Sequence, residues 1–373
     1  MTKVANIVLN DFTNDSRVWK ISKSLASFGY HPIVVALHRP GLETKESVAG
    51  VCVYRIPLAT RSWPKFKPIQ IVKYFEFACK VFWRFRGVNY VHCNDLNALP
   101  IGLLIKLFSK KTRVVYDCHE YETEITGLKG VEKNGRKLLE RCLIPFVDSI
   151  ITVSDSIANE YARLYKIPQP HLVLNCPSHK EQPKNDLFRK NLGIRADQTI
   201  FLYQGGLSKG RGVELLLEAF TALETDQNVL VCMGYGPLEQ LIQHKSQDSE
   251  TIFFHSAVMP DVLLNYTSSA DYGVSFIEDS CLSYRYCLPN KVFEYLMAGL
   301  PVLTSNLYEM KKLVETEGVG IVAEDNTVEG FRKAVIRSLA QDYKAIQKNV
   351  FDARKKYCWE EQEKTLGKIY GAL

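Results

Sequence analysis

None of the ten cysteines in this 373-residue chain forms a Cys-x-x-Cys pair, and no histidines accompany them at zinc-finger spacing. A dithiol redox motif and a structural zinc site are therefore both excluded. The cysteines mostly sit in or beside apolar runs, which reads as buried free thiols in a reducing cytosol. Long hydrophobic runs are missing too. The best stretch, Leu99 to Phe108, is broken by Lys106, short of the roughly 18 apolar residues a spanning helix needs. Met1 to Asp11 lacks the apolar length of a signal peptide, so the expectation is a cytoplasmic protein that does not span a membrane. Neither charge sign dominates: a formal +6 permits contact with phosphates or anionic lipid and does not call for a nucleic-acid partner. No internal repeat or low-complexity run is present.

With 46% hydrophobic and 24% charged residues, the chain has the make-up of a soluble globular protein, and its length suffices for two domains with separate cores. Short apolar runs alternate with amphipathic helical patterns throughout. Val4 to Leu9, His31 to Leu37 and Val51 to Ile56 read as strands, with a helix from Arg17 to about Phe28 stopped by Gly29. Tyr90 to Asp95 runs into a helix capped by Asp95. Lys137 to Phe146 reads as helix, Ser149 to Ser154 as strand, and Asp155 to Tyr165 as helix. A polar segment with Pro183, Ser178 to Asn185, suits a linker, and a second alternating series follows from Thr199. The fold class is α/β: two Rossmann-like domains, spanning 1–180 and 181–355, facing a cleft.

In parallel α/β sheets, ligands bind beyond the carboxyl ends of the strands. The loop Asp11 to Arg17 is one such place, although it carries no G-x-G-x-x-G. Arg113-Val-Val-Tyr-Asp-Cys-His-Glu120 is another, an apolar strand that ends in Asp117, His119 and Glu120. In the second half, Gln204-Gly-Gly-Leu-Ser-Lys-Gly-Arg-Gly212 combines glycines, which let backbone approach closely, with the cations Lys209 and Arg211. That pattern suits an oxyanion or diphosphate, and it also suits a plain glycine-rich turn. It is not a Walker loop. Gly234-Tyr-Gly-Pro237 makes a second tight turn into a helix. Leu288 to Thr304 reads as loop, helix and strand, with Pro289 and Asn290 at the helix start and Gly299 at its end. Such a start offers free N–H groups and a positive dipole end to an anion, with Lys291 adding a cation and Glu294 an acceptor for hydroxyls. An ordinary capped surface helix would look the same.

Residues 61 to 87 hold seven basic residues against one acid, Glu76, with eight aromatics among them. The mixture fits an amphipathic helix at an anionic membrane surface. It also fits a helix whose rings pack on the sheet and whose charges are solvated.

In its ordered motifs the chain resembles the retaining GT-B glycosyltransferases of family 4. The second half carries Tyr203-Gln-Gly-Gly-Leu-Ser-Lys-Gly-Arg-Gly, Gly234-Tyr-Gly-Pro, Ala270-Asp-Tyr-Gly-Val-Ser and Asn290-Lys-Val-Phe-Glu-Tyr-Leu-Met-Ala-Gly-Leu-Pro-Val. The first half carries Asp15-Ser-Arg-Val, Ser24-Leu-Ala-Ser-Phe-Gly-Tyr and Asp117-Cys-His-Glu. Lys356-Tyr-Cys-Trp-Glu-Glu-Gln362 is similar to the segment that opens a last helix, here 356–373, crossing back to the first domain.

The resemblance implies transfer of a sugar from a nucleotide-sugar donor, with no separate cofactor and no metal in the site. Glu294 would hold the ribose hydroxyls. The backbone of Asn290, Lys291 and Val292, together with the glycine turns at Gly205, Gly206 and Gly236, would meet the diphosphate. Arg211, with Lys209 as the other candidate, would neutralise the leaving phosphates, and His119 would sit beside the donor sugar. One position departs from the family pattern: its glutamate eight residues before the ribose-binding one is Tyr286 here. Asn290, Tyr286 and Glu278 are the alternatives for contacting the donor sugar.

The leading expectation is a transferase at the inner membrane face, acting on a lipid-linked or glycan acceptor in cell-surface polysaccharide assembly. A nucleotide-sugar epimerase and a noncatalytic membrane-bound partner of the same fold are the alternatives.

Overall fold

The computed structural model describes residues 1–48, 50–223 and 225–373. They form two compact units, Met1–Val173 with Glu363–Leu373, and Leu174–Gln362. These boundaries lie a few residues from the breaks at 180 and 355 read from the sequence.

The first unit is built on an eight-stranded sheet. Its strands are β1 (Lys3–Ile7), β2 (His31–Leu37), β3 (Lys45–Val48), β4 (Val51–Ile56), β5 (Tyr90–Asn94), β6 (Arg113–Asp117), β7 (Ser149–Thr152) and β8 (His171–Leu172). They lie in the order β3-β4-β2-β1-β5-β6-β7-β8 and are parallel except for the antiparallel pair β3–β4. Strands buried on both faces must be apolar nearly throughout, and Val4, Ile7, Val34, Val35, Val91, Val114 and Val115 are accordingly sealed from solvent. Each such aliphatic contributes on the order of 1.5–3 kcal/mol. β3 escapes sequence reading because Lys45-Glu-Ser-Val is a mostly exposed edge strand without an apolar run.

Ser16–Ser27 is the first helix, with the Asp15 carboxylate accepting from the Val18 N–H. Asp95, by contrast, does not cap the helix Asp95–Phe108. It is the helix's first residue, at φ +62°, and its carboxylate accepts from the His119 N–H instead. The helix Gly130–Leu143 begins well before Lys137, and its buried residue is Glu140. That carboxylate accepts hydrogen bonds from the hydroxyls of Tyr116 (2.7 Å), Tyr161 (2.7 Å) and Tyr165 (2.5 Å). Three donors compensate its removal from water.

The second unit holds six parallel strands: β9 (Thr199–Gly206), β10 (Asn228–Tyr235), β11 (Ile252–Ser256), β12 (Tyr272–Ser275), β13 (Val302–Thr304) and β14 (Gly320–Val322), in the order β11-β10-β9-β12-β13-β14. β9 and β10 run longer than their apolar cores because the glycines at their ends continue the ladder, Gly205 opposite Gly234 and Gly206 opposite Tyr235. The last helix, Trp359–Ala372, starts in the second unit, where the Trp359 N–H donates to the Pro177 carbonyl at 2.8 Å. From Glu363 on it belongs to the first unit. There Ser24 Oγ donates to Glu363, and the buried Tyr370 hydroxyl lies 2.9 Å from His92 Nδ1.

All ten cysteines are free; Cys79 and Cys142 are exposed rather than buried, because both lie on outward helical faces. No helix among the described residues is long and apolar enough to cross a membrane.

Candidate active site

At the carboxyl end of the second sheet, β9, β10 and the helix Asn290–Met297 converge. Glycine makes this possible. A β-carbon at Gly234 would stand 1.9 Å from the Gly205 carbonyl oxygen, and one at Gly236, where φ is +151°, would stand 2.4 Å from that of Leu207. Only glycine lets the two strand ends lie this close. The Leu207 N–H then donates to Tyr235 O, and the Leu238 N–H to Leu207 O.

Lys291 enters this corner from the helix start, where Pro289 offers no side-chain cap. The residue is 9% exposed. A β-carbon at Gly205 would stand at ordinary contact distance from its Cε, and its Nζ lies 3.5 Å from the centre of the Tyr203 ring. No hydrogen-bond acceptor among the described residues reaches that Nζ. Burial, followed by the nearby Arg211 guanidinium, lowers its titration from 10.5 to about 7. A buried ammonium without an acceptor is costly unless a ligand supplies one. Arg211 stacks over the Tyr284 ring at 5.0 Å, with Gly210 packed against the same ring.

Glu294 lies one turn along the helix and is half-buried. Gln204 donates its Nε2 to Glu294 Oε2 at 2.5 Å, while its own Oε1 accepts from Thr267 Oγ1 at 2.8 Å. The buried Gln204 thus fixes the direction in which Glu294 offers its lone pairs. Tyr295, next to it, accepts from the Gln204 N–H at 3.0 Å and donates to the Val274 carbonyl, tying the helix to β9 and β12.

The residues singled out from the sequence thus separate into groups. Gly205, Gly206, Arg211, Lys291, Val292 and Glu294 come together, with Gly236 on the adjoining turn and Asn290 exposed at the helix start. Lys209 is exposed on the glycine loop. Of the alternatives for the sugar contact, Tyr286 packs edge-on against Tyr308, and the Glu278 N–H donates to the Gly210 carbonyl. Gln204 and Thr267 as supports for Glu294 are not legible, since the pairing joins a strand and two helices distant in sequence.

In the first unit, His119 sits in a charged cluster at the ends of β5 and β6. Arg17 clamps Asp117 with two bonds, Nε to Oδ2 at 2.9 Å and Nη2 to Oδ1 at 2.6 Å, and donates Nη1 to Val173 O. Burial alone would raise the Asp117 pKa, but Arg17 and His119 hold it well below the usual carboxylate range. His119 Nε2 lies 3.1 Å from Asn94 Oδ1 and 3.4 Å from Asp117 Oδ2, and its Nδ1 lies 3.4 Å from Asp95 Oδ1. Burial would lower its pKa; Asp95 and Asp117 outweigh that and lift it to about 9, so the ring is an imidazolium at neutral pH. Glu122 is the reverse case. Burial, and then Asp95 beside it, push its carboxyl well above the usual range, so it keeps its proton. Arg17 belongs to the Asp15-Ser-Arg-Val motif at the end of the Asp11 to Arg17 loop, whereas Glu122 has no local motif that would mark it in the sequence.

Two family models match the sequence. Residues 16–176 match the model described as Glycosyltransferase Family 4, and residues 198–341 match that of Glycosyl transferases group 1. The chain belongs to this family of GT-B glycosyltransferases.

Among relatives, this glycosyltransferase is 24% identical over 355 residues to an uncharacterized glycosyltransferase of Methanocaldococcus jannaschii, covering 87% of this chain and 85% of that one. It is 21% identical over 364 residues to a chitobiosyldiphosphodolichol beta-mannosyltransferase of Yarrowia lipolytica, covering 87% and 76%. A putative colanic acid biosynthesis glycosyl transferase of Escherichia coli is 23% identical over 337 residues, covering 80% and 81%. Sucrose-phosphate synthase of Thermosynechococcus elongatus superposes with a TM-score of 0.80 at 18% identity, over 100% of this chain and 99% of that one. Anabaena HepE, solved with UDP-glucose, superposes at 0.76 and 12% identity over the whole of both chains. Sequence identity this low shows a shared GT-B fold. Glycosyl transfer in glycan or polysaccharide biosynthesis is the activity this family membership carries.

Proposed function

We propose that the protein is a retaining, metal-independent glycosyltransferase that moves a sugar from a nucleotide-sugar donor to a lipid-linked or glycan acceptor in cell-surface polysaccharide assembly. The observation that carries the donor half is the buried, acceptor-less Lys291 ammonium at the glycine corner, one helical turn from a Glu294 held in place by Gln204. A nucleoside diphosphate supplies the acceptor that Lys291 lacks, its phosphate oxygens, and brings ribose hydroxyls that can donate to Glu294. Arg211, and Lys209 at the loop's outer edge, add charge as the diphosphate departs, and the helix start at Asn290 and Val292 adds backbone donors. We assign His119, held as an imidazolium by Asp95 and Asp117, to the hydroxyls of the donor sugar. Fixed cations in these positions stabilise the leaving group in the way a divalent ion otherwise does.

The acceptor half is supported by the helix Lys67–Phe85 and the Phe66 that precedes it, where Phe66, Ile71, Phe75 and Trp83 are exposed among lysines and arginines. Such a face suits a peripheral position at the inner membrane surface. Names of relatives point the same way, one to a diphosphodolichol-linked acceptor and one to colanic acid.

The test is incubation with a panel of nucleotide sugars, with and without lipid acceptor, following nucleoside diphosphate release and the anomeric configuration of the product by NMR. Release that depends on acceptor, persists in chelator and gives a retained anomer is the expected result. A β product from an α donor would overturn retention. An epimerised sugar with its nucleotide intact would replace the transferase reading.

A further inference from the structure

A second feature of the first unit lies outside this site. The helix Asp95–Phe108 and the segment from Leu143 to Asp148 enclose a groove of about 840 Å³, lined by Pro100, Leu103, Leu104, Leu107, Leu143 and Phe146. Leu107 and Phe146 are 73% and 64% exposed. A groove of this size, apolar along its walls and open to solvent, has the dimensions of a ligand site rather than of a packing defect. Its wall is braced: Lys106 donates to Asp148 Oδ2 at 2.6 Å and to the Phe146 carbonyl at 2.8 Å, holding the two sides at a fixed distance. Lys110 also lines it.

What surrounds the groove says what fills it. On one side Phe108 meets Phe82 of the helix Lys67–Phe85, ring centres 5.1 Å apart, and Tyr74 of that helix donates to the Asn97 carbonyl. On the other stands the helix Gly130–Leu143, linked back by the Lys67–Glu132 ion pair at 2.9 Å. Because Glu140 faces inward to its three tyrosines, this helix turns Val131, Leu138 and Leu139 outward. Residues 61–86, 95–111 and 129–141 together carry fifteen Lys and Arg against four Asp and Glu, a formal +11 where the whole chain is +6. The remainder of the protein is therefore net acidic. Apolar side chains within such a positive field suit hydrocarbon attached to an anionic head, and they disfavour an ordinary protein partner, for which lysine is depleted at contact surfaces.

We infer that this groove binds one hydrocarbon chain of an anionic membrane lipid, with the headgroup at Lys110 and its neighbours. The inference rests on the membrane reading above only for how the lipid arrives.

The experiment mixes the full chain with phosphatidylcholine vesicles containing phosphatidylglycerol whose acyl chain is photoactivatable, then maps labelled peptides and measures flotation in parallel. Label is expected on peptides containing residues 100–110 and 143–148. The double variant Leu107→Glu with Phe146→Glu, at two exposed positions that the fold tolerates, should lose about tenfold of that label while still floating and still binding nucleoside diphosphate. Label absent from these peptides in floating protein, or undiminished in the double variant, overturns the groove and leaves the membrane reading standing. If wild type does not float, the membrane reading fails, and the same lipid in detergent micelles decides the groove: label there supports it, none overturns it. A double variant that changes from dimer to monomer with unchanged labelling would assign the face to a second copy and also overturn the proposal.

Discussion

Replacing Lys291 by methionine should stabilise the protein and weaken its affinity for nucleoside diphosphates. The ammonium titrates near 7 rather than 10.5 because burial and Arg211 disfavour its charge. Since the folded value lies below the unfolded one, folding is relatively favoured above pH 10.5. That advantage is lost as pH falls, and below about 7 the cost of the buried charge is complete. At pH 7 it amounts to ~4 kcal/mol. Methionine has a similar volume and no charge, but forgoes the contact with the Tyr203 ring, worth about 1–2 kcal/mol in a desolvated setting. A net gain of ~2 kcal/mol corresponds to about 4–8 °C in the melting transition of a unit this size. Loss of a charge-assisted hydrogen bond to phosphate, ~1.5–3 kcal/mol, weakens binding roughly 10- to 150-fold. Differential scanning calorimetry of the unliganded proteins and isothermal titration with a panel of nucleoside diphosphates read both quantities. Calorimetry in buffers of different ionisation enthalpy at pH 8 should also show proton uptake on binding by wild type and none by the variant. A variant that melts below wild type, or binds equally well, refutes the reasoning.

Glu294→Ala should erase the preference for ribonucleotides over their 2′,3′-dideoxy counterparts, a loss of about tenfold or more measured by competition binding, if its carboxylate accepts from the ribose. His119 is charged below about pH 9, and the fold gains from that charge below the unfolded value near 6.5, losing the gain as pH rises through 9. The acid form of His119 should therefore define an alkaline limb in kcat/KM near pH 9, which His119→Gln removes; an unchanged limb assigns it elsewhere. Gly236→Ala, whose β-carbon would meet Leu207 O at 2.4 Å in a left-handed backbone, should lower stability by roughly 2–4 kcal/mol in urea denaturation. Charge reversal of Lys65, Lys67, Arg84 and Arg86 to glutamate should abolish flotation with anionic vesicles; unaltered flotation would remove electrostatics from the role of this helix.

The strands with apolar interiors, such as β2 and β9, are legible because burial on both faces forces an apolar run, and β4 through its alternation of buried and half-buried residues. β3 is not, for its residues face solvent, nor is the start of the helix at Gly130, whose exposed turns carry no apolar stripe. The same contrast holds at the site. Gly205, Gly236 and Glu294 announce themselves through turn chemistry and helix position. That Lys291 is buried does not follow from its neighbours in sequence, where it reads as a solvated cation at a helix start. Its surroundings come from β9, which lies some ninety residues earlier in the chain and reaches the helix through the ladder β9-β12-β13. Gln204 is silent for the same reason: its partners Thr267 and Glu294 meet it only once that ladder has formed. Asp95 shows how a residue with good capping chemistry takes a different post when a histidine N–H competes for its carboxylate.

His92, on a central strand of the first unit, meets Tyr370, which lies 278 residues further along the chain. A ribosome adding about 5–20 residues per second therefore leaves this strand without its final partner for roughly 15–60 s. The second unit, contiguous from Leu174 to Gln362, has all of its sequence before the first unit has its last helix. The part of the molecule made first is thus the part finished last, and its newly made basic, aromatic helices must stay out of aggregates until the chain's closing residues arrive.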